Sequence, residues 1–86
     1  MEQELKDLIA KVLLERYEMV VKVENDSHLQ DDLGLDSLDS ILLVFEIEEH
    51  FLIQIPKKQG IYSYDTVQDI INIVSELIKE QHGRDV

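Results

Sequence analysis

The sequence predicts an all-α fold, a small four-helix bundle of three main helices plus one short helix with a long first loop. Three observations predict it. Apolar residues recur at helical spacing in three separate segments. No segment alternates with period two, so nothing supplies a paired strand. The chain has 86 residues, the size of one small domain, so 1–86 is expected to fold around a single shared core. Its 44% hydrophobic content is close to the globular average, which argues against a disordered chain.

The elements follow in order. Leu5, Leu8, Ile9, Val12 and Leu13 fall at i, i+3, i+4, i+7 and i+8, which predicts an amphipathic helix from about Gln3 to Arg16. A connection of roughly 18–36 comes next. Its stretch Met19-Val20-Val21-Lys22-Val23 is apolar and β-branched but has no partner strand, so it reads as an extended loop packing a few side chains on the core. A loop of that length in a small domain is unusual and often functional. The second helix starts at Asp36-Ser37-Leu38-Asp39, with Asp36 as N-cap and Asp39 at the third helical position, where an acid favours the helix start. It runs to about His50 or Phe51, and Pro56 prevents a regular continuation. One short helical turn is expected within Lys57 to Tyr64. The last helix begins near Asp65, with Thr66 and Asp69 spaced as a capping box, and Val67, Ile70, Ile71, Val74 and Ile78 form its buried stripe. The tail, about 81–86, is expected to fray.

Charge narrows the function. Eight Lys and Arg stand against 19 Asp and Glu, a net charge of −11. Nucleic acid requires cationic neutralisation of its phosphates and is excluded as a direct partner. Anionic membrane surfaces attract Lys and Arg, so they are disfavoured too. There are no cysteines, hence no disulfide scaffold, no Cys-ligated zinc and no protein thiol nucleophile. The first residues lack a basic n-region and a long apolar run, and no stretch reaches transmembrane length. A cytoplasmic monomer without membrane insertion is expected. His28, His50 and His82 show no metal-ligand spacing, and no nucleophile–base pair or Gly-rich phosphate loop is present. No metal site and no catalytic activity of its own are expected.

The second helix carries the most information. With Leu38 at 0°, Leu43, Val44, Ile47 and Phe51 fall between about 140° and 240°, and Leu38, Ile41, Leu42 and Phe45 lie on nearly the opposite side. A surface helix needs one apolar stripe, not two. The acid-framed second stripe reads either as a docking surface or as a sign that the helix packs on two neighbours. Between Lys22 and Lys57 there is no Lys or Arg but nine carboxylates. Such a field steers cationic partners, or merely aids solubility. Within it Ser37 sits just inside a helix start, where N–H groups and the helix dipole favour a phosphate and neighbouring acids oppose it. A bare Asp-Ser-Leu triplet is more often only a helix start.

The run Leu29-Gln30-Asp31-Asp32-Leu33-Gly34-Leu35-Asp36-Ser37-Leu38-Asp39-Ser40 resembles the acyl carrier protein family. The likeness continues through Glu46 to Phe51 and Ile55-Pro56, then resumes at Thr66-Val67. The resemblance implies a right-handed four-helix bundle with Ser37 as the attachment point of 4′-phosphopantetheine. A phosphopantetheinyl transferase would install the group from coenzyme A with Mg²⁺, and Asp36 would support that modification. The arm's thiol would then carry acyl intermediates between enzymes of fatty-acid, lipid or polyketide-type synthesis, which fits a chain without cysteine. Leu38, Asp39, Ile41, Phe45, Glu48 and Glu49 match family positions that meet basic patches on partner enzymes, and Leu42 lies on the same face. Leu42 departs from the pattern, standing where fatty-acid carriers commonly have an acid. So do Lys57 and Lys58, which replace an acidic cluster. These departures suggest a specialised carrier. The alternatives are an aminoacyl or peptidyl carrier, or an unmodified acidic interaction module in which Ser37→Ala is harmless.

Overall fold

The computed structural model of the chain describes residues 1–56 and 65–83. Within them lie three helices and no strand: α1 (Glu2–Tyr17), α2 (Ser37–Phe51) and α3 (Val67–His82). The helical turn expected within 57–64 falls outside the described residues. None of the described helices is long and apolar enough to cross a membrane.

The local chemistry explains the helix ends. Asp36 and Asp39 form a reciprocal capping box at the start of α2, and Thr66 and Asp69 form another at the start of α3. Each satisfies two backbone N–H groups that helix geometry leaves without partners. Thr66 and Asp65 N–H groups donate to Asp69 and hold its carboxyl below the usual carboxylate range, against a smaller opposing effect of burial. The other ends are less favourable. α1 stops at Glu18 and α2 at Leu52, both in the left-handed region at φ 55°, a conformation that suits glycine and strains an L side chain.

α1 packs on both other helices. Leu5, Ile9 and Leu13 of α1, Leu43 and Ile47 of α2, and Val67, Ile70 and Val74 of α3 are all completely buried. On α3 the buried arc is wider than one stripe, since Ile73 and Leu77 are covered while Ile78 is only partly so.

The first loop belongs to this core. Val21 and Val23 pack against it, as expected, while Met19 and Val20 are exposed. Its main anchors are Leu29, Leu33 and Leu35, each at least 97% buried. Full burial of a leucine contributes about 2 kcal/mol, so three of them rival the whole net stability of a small domain. Gly34 makes their arrangement possible. It sits at φ +68° and turns the chain so that the Leu35 N–H donates to the Leu29 carbonyl at 2.9 Å.

Polar contacts then tie the loop to α3. The Leu29 N–H donates to Asp65, the Val67 N–H to Ser27 and the Gln68 N–H to Asn25, at 2.8–3.0 Å. One isolated bridge, His28 to Thr66, lies between them. The Asn25 side chain accepts from Lys6 at 2.8 Å and donates to Gln68 at 2.9 Å and Glu2 at 3.0 Å.

Gln81 and His82 correct the expectation of a tail frayed from about residue 81. They are the last residues of α3, and both are engaged. The Gln54 N–H donates to Gln81 Oε1 and Gln81 Nε2 donates to the Gln54 carbonyl, each at 2.8 Å. His82 Nε2 lies 2.8 Å from the Leu52 carbonyl. These bonds offset the entropy of ordering a helix end.

Candidate functional site

The site is the first turn of α2 and the face that runs from it. Ser37 is the first residue of the helix and is exposed. Among the described residues its hydroxyl makes no hydrogen bond. Ser40, one turn on, is the contrast. It is 5% exposed, and its hydroxyl donates to the Asp36 carbonyl at 3.0 Å. Of the two serines in the motif, only Ser37 presents a free nucleophilic oxygen to a partner.

The cap determines what surrounds that oxygen. Asp36 Oδ1 accepts the Asp39 N–H at 2.9 Å, and the Ser40 N–H donates to the Asp36 carbonyl. The N–H groups of Ser37 and Leu38 are left pointing out of the helix start. Their partial positive charge, summed with the helix dipole, favours an anion beside Ser37. The turn thus offers an exposed hydroxyl with two N–H donors beside it.

Asp39, expected among the residues that meet partner enzymes, instead faces the interior of this chain. Its side chain is completely buried. As the third residue of a capping box it must turn back toward the cap, where Oδ2 accepts the Asp36 N–H at 3.2 Å. The end of α1 closes over it, with the Tyr17 hydroxyl donating to Oδ2 and the Arg16 guanidinium paired with Oδ1. Burial pushes the Asp39 carboxyl up, but the Tyr17 hydroxyl, the Asp36 N–H and Arg16 together outweigh it and hold the group below the usual carboxylate range. The same bond to Asp39 pushes the Tyr17 phenol up. Arg16 and Tyr17 were missed in the sequence. The available signal was an Arg-Tyr pair ending one helix in a chain whose next helix starts with two acids.

The two stripes of α2 have separate fates. Leu43 and Ile47 are completely buried, and Val44 and Phe51 pack against the core. On the other side Leu38, Ile41 and Phe45 are 56%, 46% and 62% exposed, and Leu42 is half-buried. Glu49 is exposed beside them. Glu48 is half-buried, with Oε2 accepting the Ile55 N–H at 2.8 Å, so its carboxylate also shapes the chain after α2. Lys57 and Lys58 lie outside the described residues. Within the acidic run, Asp39 pairs with Arg16, Glu46 with Lys11 and Glu24 with Lys22. The remaining carboxylates of the run have no Lys or Arg partner among the described residues.

Two comparisons with known proteins bear on this arrangement. Residues 3–74 match the family model described as the phosphopantetheine attachment site. An acyl carrier protein of Chloroherpeton thalassium is 44% identical over 55 residues, which is 64% of this chain and 68% of that protein.

Proposed function

The chain belongs to the acyl carrier protein family and is a carrier bearing covalent 4′-phosphopantetheine, and from that premise we propose that Ser37 is the attachment residue. The observation that carries the proposal is the contrast between Ser37, exposed and free, and Ser40, buried and bonded. In the modification Ser37 Oγ forms a bond to the phosphorus of the pantetheine phosphate as the phosphoanhydride bond of coenzyme A breaks. Adenosine 3′,5′-bisphosphate leaves, and the hydroxyl proton passes to a base of the transferase or to water. Asp36, exposed beside the serine, assists by helping to place the transferase's Mg²⁺. The bound arm supplies a thiol on which acyl groups ride as thioesters.

The exposed stripe Leu38, Ile41, Leu42 and Phe45, bordered by Glu48 and Glu49, is the face we assign to partner enzymes. An apolar centre with an acidic rim suits a basic docking patch, which steers encounter electrostatically. Those partners are the phosphopantetheinyl transferase and the enzymes that load and process the acyl group. In this reading the chain is a cytoplasmic monomer that contributes no catalytic group. The carried intermediates belong to fatty-acid, lipid or polyketide-type synthesis.

The test is an intact-mass measurement. The chain is incubated with coenzyme A, Mg²⁺ and a broad-specificity phosphopantetheinyl transferase, beside Ser37→Ala and Ser40→Ala. Wild type and Ser40→Ala should gain one phosphopantetheine, and Ser37→Ala none. An adduct on folded Ser37→Ala refutes the assignment.

A further inference from the structure

The cluster of Arg16, Tyr17 and Asp39 lies directly behind the first turn of α2. We propose that Arg16 and Tyr17 are positioning residues for modification at Ser37, acting through the buried Asp39 to fix that turn and to cancel the charge of Asp39 within it. The proposal rests on the assignment of Ser37 made above.

The argument is one of charge and geometry. A helix N-terminus carries the equivalent of about half a positive elementary charge. A full negative charge on an unpaired Asp39, in the same turn as Ser37, would outweigh it and repel an arriving phosphate. Asp39 is completely buried, so water does not screen it. Arg16 pairs with one of its oxygens, and the Tyr17 hydroxyl with the other. The pairing removes the repulsion of Asp39 from the turn, leaving the carboxylate of Asp36, which is exposed and screened by water. It also fixes direction. Asp39 Oδ2 holds the Asp36 N–H, so the orientation of the cap, and with it the Ser37 and Leu38 N–H groups, follows from where α1 holds this carboxylate. Arg16 and Tyr17 are the final two residues of α1. The end of one helix thereby sets the aim of the next.

A capping acid alone requires no cation. A carboxylate that receives only N–H groups serves for helix initiation at the start of α3, where the half-buried Asp69 accepts from the Asp65 and Thr66 N–H groups. The two capping boxes differ in that the one beside Ser37 is also clamped by a guanidinium and a phenol.

The test measures initial rates of modification against carrier concentration for the full chain, with coenzyme A, Mg²⁺ and the transferase. The variants are Arg16→Gln, Arg16→Lys, Tyr17→Phe and Ser37→Ala. In parallel, amide hydrogen exchange of Ser37 and Leu38 is read by NMR on the unmodified proteins, and circular dichroism reports helix content. Arg16→Gln should lower kcat about three- to tenfold with KM for the carrier unchanged, and should alter exchange at Ser37 and Leu38. Arg16→Lys should recover most of the rate. Tyr17→Phe should lower kcat by about twofold, and it carries the test if Arg16→Gln loses its helices. A wild-type rate with unaltered exchange overturns the proposal, as does an effect confined to KM, which would mark Arg16 as a direct contact of the transferase. Ser37→Ala separates the two ideas. If it still gains the adduct, the assignment of Ser37 fails. If it gains none and the folded variants are modified at the wild-type rate, only the positioning role fails.

Discussion

Asp39→Asn isolates the charge at the junction of α1 and α2. Asparagine keeps the shape and an oxygen for the Asp36 N–H, but it removes the anion that Arg16 and Tyr17 address. Three hydrogen-bonded or ionic contacts are weakened together. Loss of one cap is worth about 1 kcal/mol, and a hydrogen bond to a charged buried group about 1.5–3 kcal/mol. These do not simply add, since Arg16 keeps a third of its side-chain surface exposed and regains water when released. The net expectation is a loss of about 2 kcal/mol. In a domain of this size that lowers Tm by about 8–15 °C. Urea unfolding at neutral pH measures it, and the m-value should not change. The pH dependence provides a second check. The carboxyl lies below its ordinary value of 3.8 in the folded chain. Its contribution is therefore fully present above that value and is lost as pH falls through the folded-state pKa. The gap between wild type and Asp39→Asn should stay constant from pH 7 to about pH 5 and close below about pH 4. A loss under about 0.5 kcal/mol at pH 7, or a gap that widens in acid, refutes the reasoning.

Three further outcomes are expected. Gly34→Ala should destabilise by about 1 kcal/mol by urea unfolding, because φ +68° strains any L side chain even though no atom lies within 4 Å of the added Cβ. Leu52→Gly should raise stability by up to about 1 kcal/mol in the same assay, since the residue is 74% exposed and left-handed, so little burial is lost and the strain is relieved. Phe45→Ala should leave stability within about 0.5 kcal/mol while raising KM for the carrier with the transferase about tenfold, because its ring is mostly in solvent.

The sequence reading succeeded where one periodicity governed one element. α1 carried a single apolar stripe, the Thr66–Asp69 capping box could be read from its spacing, and Asp36 was legible as the N-cap of α2. α2 carried two stripes of equal strength, and only its packing distinguishes Leu43 and Ile47 from Ile41 and Phe45. Leu29, Leu33 and Leu35 were seen as part of a motif rather than as core. Their spacings of four and two fit neither a helix nor a strand, because the turn at Gly34 lies among them. The inward turn of Asp39 was illegible for another reason. Its partner Tyr17 is 22 residues away, beyond the reach of any local pattern, and an acid on a charged helix looks like a surface acid until its neighbours are placed.

The pairing of the first loop with the start of α3 has a kinetic consequence. Helical bundles usually fold fast because their contacts are local. Here Asn25 meets Gln68 across 43 residues, and the backbone bonds around it join 25–29 to 65–68. Those contacts can form only after α1, α2 and α3 have come together, so they raise the contact order of an otherwise local fold and should be weak in the transition state. Their removal is then felt in the rate of unfolding, with folding almost unchanged. The loop that leads to Ser37 acts as a late-closing fastener, and it governs how long the folded carrier persists more than how quickly it forms.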